Sequence, residues 1–126
     1  MKFKASILTD GILCLLFVFL LVLPVSAEEA KEKRISLLNP FSEAEYLYHS
    51  GEIEKSKIFY QDYLSGKPSR DRGNIALYRL GAIHEQNLSF IIALRYYKML
   101  LHRSPNLLLT HDAKLGQAKC FFKLIK

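Results

Sequence analysis

The stretch ALYRLGAIHEQ, residues 76–86, has a partial copy later in the chain, AKLGQAKCFF, residues 113–122. The alignment pairs Gly81 of the first stretch with Gly116 of the second, at an offset of 35 residues. Both stretches place small and apolar residues at helical spacing. A self-similarity of this period predicts an array of helical units.

A longer alignment shows the same repeat upstream. The segments SKIFYQDYLSGKP (residues 56–68) and ALRYYKMLLHRSP (residues 93–105) superimpose with a constant offset of 37 residues. Tyr60 thereby aligns with Tyr97, and each segment ends in a proline, which stops a helix. The chain therefore contains three related units, of which the third is partial.

These units resemble the tetratricopeptide repeat (TPR) family, whose repeat is a helix-turn-helix of about 34 residues with small residues where the helices touch. The second unit matches the family signature at these positions: Leu77, Leu80, Gly81, His84, Ala93, Tyr97 and Pro105. In the first unit Pro40 and Glu43 stand where large apolar residues are usual, so its first helix is expected to be short. The resemblance implies an all-α fold, a TPR-like α-solenoid of about five helices in antiparallel pairs, stacked as a short right-handed array.

Local signals divide the chain into the same helices. SEAE (residues 42–45) is a capping box, which predicts a helix start near Glu43. Gly66 and Pro68 end the second helix, and residues 87–89 form the turn before the fourth. The fourth helix, residues 90–102, is apolar nearly all round, which is expected for a helix packed between neighbours. The expected helix starts are therefore Glu43, Ile53, Asn74, Phe90 and Thr110.

The first 27 residues have the pattern of a secretory signal peptide. Two lysines, Lys2 and Lys4, precede an apolar run of 12 residues (12–23), and small residues lead to a predicted cleavage site after Ala27. Spanning a bilayer takes about 20 apolar residues, so this run is short for a permanent span. An uncleaved membrane anchor is the alternative interpretation.

The predicted domain organisation follows from these boundaries. Residues 1–27 form the signal peptide, residues 28–41 form a flexible lead-in, and residues 42–126 form the repeat domain. Its units are expected at about residues 42–70, 74–107 and 109–126. Removal of the signal peptide also removes Cys14. Cys120 is then a lone cysteine, and we expect it to be a buried small hydrophobe.

The sequence lacks the motifs of common enzyme and metal sites. HEQNL (residues 84–88) begins like the H-E-x-x-H motif of zinc proteases, but Leu88 replaces the second histidine. Cys120 has no histidine at helical spacing that would act as its base, and no glycine-rich phosphate loop occurs. We therefore predict that the protein is not an enzyme and takes no cofactor and no metal.

The formal net charge of +6 bears on the class of partner. A basic chain is typical of nucleic-acid binding, but export makes that class unfavourable, and we predict no nucleic-acid partner. The basic residues Lys67, Arg70 and Arg72 cluster at the loop between units, where an acidic partner, anionic lipid headgroups or solvent would face them. Other membrane contact is expected only through residues 1–27, if they are uncleaved.

In the resembled family, the first helices of successive repeats form a concave groove that binds peptides or partner domains. The resemblance implies a partner-binding groove lined by Glu45, Tyr48, His49, Tyr78, Ala82, Glu85, Gln86 and Gln117. Tyr48 and Tyr78 are the strongest anchor candidates, because aromatic residues with a polar tip dominate binding hot spots; packing between helices is the alternative for both. Phe41, Glu45 and Ala82 occupy the places where some relatives clamp a C-terminal carboxylate, so that mode of binding is not expected.

The segment CFFKLIK (residues 120–126) raises a second interaction hypothesis. We predict a docking helix whose apolar residues are Phe121, Phe122, Leu124 and Ile125. This helix either caps the array with its apolar side inward, or docks on a partner, which includes a second copy in a homodimer. A truncated gene product is the third interpretation.

Together these features predict an exported, non-enzymatic protein-protein interaction module or scaffold of the cell envelope, which binds a protein or peptide partner. An exported TPR protein resembles the bacterial envelope proteins that assist outer-membrane assembly or accompany the Tol-Pal system. That resemblance implies a periplasmic location, or secretion if the source has no periplasm. The alternative is a membrane-anchored structural accessory protein that keeps its N-terminal segment.

Overall fold

The computed structural model describes residues 39–103 and 105–126. Within these ranges the chain forms five α-helices and no strand. The helices are α1 (Pro40–His49), α2 (Ile53–Ser65), α3 (Arg70–Gln86), α4 (Phe90–His102) and α5 (Leu107–Ile125). The predicted all-α class and the number of helices are confirmed. The predicted signal peptide lies outside the described residues, as does most of the predicted lead-in.

The first helix begins earlier than the sequence predicted. The Asn39 side chain accepts a hydrogen bond from the Phe41 backbone N–H at 2.8 Å, and Pro40 occupies the first helical turn. Proline is favoured there because its missing N–H would have no partner in the helix. The predicted capping box at Ser42 is therefore wrong. Ser42 already lies inside α1, and the helix begins within the segment assigned to the lead-in.

Two further helix starts differ from the prediction. Helix α5 begins at Leu107 rather than near Thr110, because the Asn106 side chain accepts a hydrogen bond from the Leu109 backbone N–H at 2.9 Å. Helix α3 begins at Arg70 rather than at Asn74. Asp71 lies in its first turn, where the helix dipole stabilises a negative charge. Arg70 and Arg72 are thus helical residues and do not belong to the loop.

The remaining boundaries agree with the sequence. Helix α2 ends at Ser65, directly before Gly66, and α4 spans the predicted residues 90–102. The turn between α3 and α4 contains Leu88 with a φ of 58°. This left-handed conformation is unusual for a leucine and lets the chain reverse within three residues.

Consecutive helices pack against each other, and α3 also packs against α5. The ring of Phe41, at the start of α1, lies 5.3 Å from the ring of Tyr63, near the end of α2. Arg70, at the start of α3, donates a hydrogen bond at 3.2 Å to the carbonyl of Arg103, directly after α4. Both helix pairs are therefore antiparallel.

The buried side chains form two clusters, each around a tyrosine. The Tyr60 cluster consists of Ala44, Tyr60, Ala76, Leu80 and Ile83. The Tyr97 cluster consists of Leu77, Ala93, Tyr97, Leu100, Ala113 and Cys120. Helix α4 contacts α3 and α5 as predicted for a helix between neighbours, but it is not buried all round. Its residues Ile91, Ile92 and Met99 are exposed, because nothing in the described chain packs on that side.

The Tyr97 ring is wedged between two glycines. A Cβ added at Gly81 would lie 2.5 Å from Tyr97 Cε1, and one added at Gly116 would lie 2.5 Å from Tyr97 Cε2. The two glycines therefore approach opposite edges of one ring. This contact sets how closely α3 and α5 approach α4, and it positions the cavity described next.

Candidate functional site

A cavity of about 240 Å³ opens on the side of the molecule where α1, α3 and α5 meet. Five residues of the predicted groove line it: Tyr48 from α1, and Tyr78, Ala82, Glu85 and Gln86 from α3. The four residues of α3 are spaced along the helix by four, three and one positions, so they lie on one face of it. The fold thus brings residues from two separate units to one concavity.

The opposite wall of the cavity comes from residues that the sequence prediction did not include. These are Asp112, Leu115, Gly116 and Lys119 of α5, with Tyr97 of α4 beneath them. Asp112, Leu115 and Lys119 are spaced by three and four residues, which is the signal that would have placed them on one face. Gln117, the predicted residue of this helix, does not line the cavity, because it follows Gly116 by one residue and is rotated by about 100°.

Glu45 and His49, the other two predicted residues, lie outside the cavity in an ionic network. The Tyr60 hydroxyl donates to Glu45 Oε1, and Arg79 Nε donates to the same oxygen at 3.2 Å. His49 Nε2 lies 3.5 Å from Glu45 Oε2. Burial raises the pKa of the Glu45 carboxyl, but the bonds from Tyr60 and Arg79 outweigh burial and lower that pKa overall. Glu45 is therefore ionised and already partnered.

Arg79 connects this network to the cavity. Its guanidinium carbon lies 4.3 Å from the centre of the Tyr48 ring, a cation-π geometry. Arg79 thus holds Tyr48 from one side while it pairs with Glu45. Of the two anchor candidates, Tyr48 is fixed in place by this contact before any ligand is present.

The base of the cavity contains a second tyrosine-carboxylate pair. The Tyr97 hydroxyl donates to Glu85 Oε2 at 2.8 Å. Burial, and then the hydrogen bond to Glu85, raise the pKa of Tyr97, so its hydroxyl stays protonated and acts as the donor. Because a carboxylate offers about four lone-pair sites, Glu85 keeps the capacity to accept from a ligand.

The cavity carries charges of both signs. Tyr78 lies 6.3 Å from Tyr97 between ring centres, and burial and then the Asp112 charge raise the pKa of its hydroxyl. Asp112 and Glu85 supply acceptors, and Lys119 supplies a donor. An extended backbone presents both N–H and C=O groups, so a mixed lining of this kind suits it.

His84 lies away from the cavity, on the other side of α3. Its ring stacks on the Tyr96 ring of α4, with centres 5.4 Å apart and planes 14° apart. Its Nε2 atom is buried and has no hydrogen-bond partner within the described residues. Burial, and then repulsion from Lys57 of α2, lower the pKa of His84, while Glu54 of α2 opposes this more weakly.

We expect His84 to make folding stability depend on pH. Because its pKa is lower in the folded chain, its stabilising contribution is complete above the ordinary histidine pKa of about 6.5 and is lost as pH falls below it. Urea unfolding at pH 7.5 and pH 5.5 should therefore show a larger loss for the wild type than for His84→Gln. Equal losses in the two proteins would contradict this assignment. Glu45 does not interfere, since carboxyl groups titrate below this range.

Cys120 is buried in the Tyr97 cluster, as predicted, and its thiol is free. Burial, and then the Glu85 charge, raise the pKa of its thiol. A raised thiol pKa reduces the thiolate fraction, which is the reactive form. Cys120 is therefore a packing residue at the back of the cavity wall.

Within residues 39–103 and 105–126, no group of three or more His, Cys, Asp or Glu side chains is placed to hold a metal ion. None of the helices in this part of the chain is long and apolar enough to cross a membrane.

Comparison with known proteins gave no match: no family model, no curated protein and no solved structure is significantly similar to this chain. The TPR resemblance therefore depends on the residues quoted above and stays a prediction.

Proposed function

We propose that residues 39–126 form a TPR-like binding module that holds an extended peptide segment of a partner protein in the cavity between α1, α3 and α5. The observation that carries this proposal is the lining of the cavity. Residues from the first helix of three successive units converge on it, and three tyrosines, three charged residues and a glutamine face the same space. Clefts with aromatic anchors and a few convergent polar groups are typical binding sites.

Each of the two complete units contains a tyrosine-glutamate bond, which supports the repeat interpretation, although the two glutamates, Glu45 and Glu85, are 40 residues apart and do not align at the offset of 37. Tyr60 and Tyr97, which align at an offset of 37 residues, are both buried, and each donates its hydroxyl to a glutamate on the first helix of its own unit. The right-handed TPR-like stacking of the helices belongs to this proposal.

The contacts suggest how the segment would bind. Glu85 and Asp112 would accept from backbone N–H groups or from a basic side chain, and Lys119 would donate to a carbonyl. Tyr48 and Tyr78 would cover the apolar side chains of the segment. Since Tyr48 is already held by Arg79, little side-chain entropy is lost at this position on binding.

The proposed setting is the cell envelope, because the first 27 residues have the pattern of a signal peptide. The function proposed there is a non-enzymatic scaffold. The alternative is a membrane-anchored accessory protein that retains these residues. The intact mass of the protein isolated from its source distinguishes the two.

The proposal predicts that filling the cavity abolishes peptide binding. Peptides would be selected from a random library on the immobilised domain, and their affinities measured by fluorescence anisotropy. Ala82→Trp adds a large side chain to the cavity wall and removes no existing contact. We expect it to weaken binding by about 100-fold or more, the size of a hot-spot loss.

The matched control for this experiment is Tyr46→Ala. Tyr46 lies on α1, as the cavity residue Tyr48 does, but Tyr46 is exposed and does not line the cavity. Peptide binding by this variant should therefore be unchanged. Circular dichroism of each variant would establish that the helices persist. Equal binding by Ala82→Trp and the wild type would exclude the cavity as the site.

A further inference from the structure

Helix α5 has two apolar faces, and only one of them is packed. The packed face is built from small residues, Ala113, Gly116 and Cys120, all of which are buried. The opposite face carries large residues. At about 100° per residue, Leu108, Leu115, Phe122 and Ile125 fall together on it, and their exposed fractions are 72%, 55%, 59% and 85%.

This arrangement is the reverse of an ordinary surface helix, which buries its large apolar residues and presents polar residues to water. Phe121 and Leu124, predicted with Phe122 and Ile125 as a docking surface, are exposed as well. We call the outward side of α5, defined by Leu108, Leu115, Phe121, Phe122 and Ile125, the outer face.

The outer face is bordered by lysines and contains no acidic residue. By helical position, Lys114 lies beside Phe121 and Ile125 at one edge of this face. Lys119 and Lys123 lie at the other edge, together with Asp112, the one acidic residue of α5. Residues 113–126 contain no aspartate or glutamate. Charge is also distributed unevenly along the described chain. Residues 90–126 contain seven lysines and arginines and one acidic residue, whereas residues 39–89 contain six lysines and arginines and seven acidic residues.

We propose that the outer face of α5 binds the surface of an anionic lipid bilayer. Phenylalanine, leucine and isoleucine side chains of this face enter the boundary between headgroups and acyl chains, as in helices that lie in the membrane plane. The flanking lysines reach the phosphate groups of the lipids, which attract basic residues. Leu115 and Lys119 also line the cavity between α1, α3 and α5, so the two surfaces share an edge. Phe122 and Ile125 do not line the cavity, and the inference does not depend on the proposed peptide binding.

The charge pattern distinguishes a lipid surface from a second copy of the chain. Two outer faces packed together would bring the lysine borders of both copies into proximity, and each α5 offers only Asp112 to compensate them. Like charges across a helix pair are destabilising. A bilayer, by contrast, supplies negative charge along both borders and needs no directional hydrogen bond from the apolar strip.

The test uses residues 28–126, which retain the whole compact unit Leu38–Lys126 and lack the apolar N-terminal run. Binding to phosphatidylcholine vesicles, with and without phosphatidylglycerol, would be measured by flotation. We expect binding to the anionic vesicles and at least about tenfold weaker binding to the neutral ones. Raising the salt concentration should release the protein.

Two variants and a control locate the contact. Phe122→Glu/Ile125→Glu should lose vesicle binding by at least about tenfold, because charged residues replace the inserted side chains. Lys114→Gln/Lys123→Gln, which changes no residue of the cavity lining, should weaken binding to anionic vesicles only. Ile58→Glu is the control. Ile58 of α2 is 61% exposed, close to the 59% of Phe122, and its replacement should leave vesicle binding unchanged.

Four results would overturn the proposal. One is the absence of binding to anionic vesicles, and another is binding that persists in Phe122→Glu/Ile125→Glu. The third is a wild-type dimer in sedimentation equilibrium without lipid that the same variant dissociates, which would assign the outer face to a second copy. Preference for an acidic helical peptide over vesicles would likewise assign it to a protein partner.

Discussion

Replacement of Gly81 and Gly116 together by alanine is expected to lower the free energy of unfolding by about 2–4 kcal/mol. Overpacking a core costs about 1–3 kcal/mol per site, and the gain of about 1 kcal/mol in helix propensity from each alanine offsets only part of this. The new methyl groups would lie 2.5 Å from atoms on opposite edges of the Tyr97 ring. Because each blocks the direction in which the other would displace the ring, the two costs should be more than additive.

Urea unfolding of the two single variants and the double variant measures this coupling. Gly66→Ala is the control, since its Cβ would meet only the Tyr63 carbonyl at 3.6 Å, an ordinary contact. It should change stability by less than about 0.5 kcal/mol. Tyr97→Leu removes the blocked ring, so the double alanine change should cost less in that background. A double variant as stable as the wild type would show that α4 and α5 are not held by this contact.

Tyr60→Ala is expected to have the second large effect, a loss of about 3–5 kcal/mol. The ring is fully buried among Ala44, Ala76 and Leu80, and removing an aromatic side chain leaves a cavity of a kind that costs this amount. The substitution also removes the Tyr60 hydroxyl, which donates to Glu45, whereas the Glu45 carboxylate keeps its bond to Arg79.

Tyr60→Phe separates the two contributions. It keeps the ring and removes only the hydroxyl that donates to Glu45, so it should cost about 1.5–3 kcal/mol, the usual range for a hydrogen bond to a charged group. Chemical denaturation of both variants gives the comparison. If Tyr60→Phe were as unstable as Tyr60→Ala, the hydrogen bond rather than ring packing would hold α2 on α1.

Much of the fold was predictable because its determinants are local. Gly66 and Pro68 end α2 for reasons that involve only the backbone near them, and the residues of α4 repeat at helical spacing. The starts of α1, α3 and α5 were misplaced by three or four residues. Asn39 and Asn106 are also local caps, and the prediction overlooked both when it placed the helix starts near Glu43 and Thr110.

The candidate site was predictable only in part. Tyr48, Tyr78, Ala82, Glu85 and Gln86 were identified from position in the repeat, and the structure places them around one cavity. Glu45 and Gln117 were identified by the same rule and lie elsewhere. Glu45 is occupied by Tyr60 and Arg79, which come from other helices, and no spacing within α1 reveals those partners.

The sequence by itself determined that the described chain forms five helices and where several of them end. It also determined which tyrosines and small residues align between units. Periodicity fixes the faces of each helix relative to one another. It does not fix the rotation of a helix about its axis against its neighbours. Only the tertiary structure decided that rotation, because it depends on the contact of Gly81 and Gly116 with the two edges of Tyr97. That contact directs Asp112 and Lys119 into the cavity and leaves Leu108, Phe122 and Ile125 facing outward.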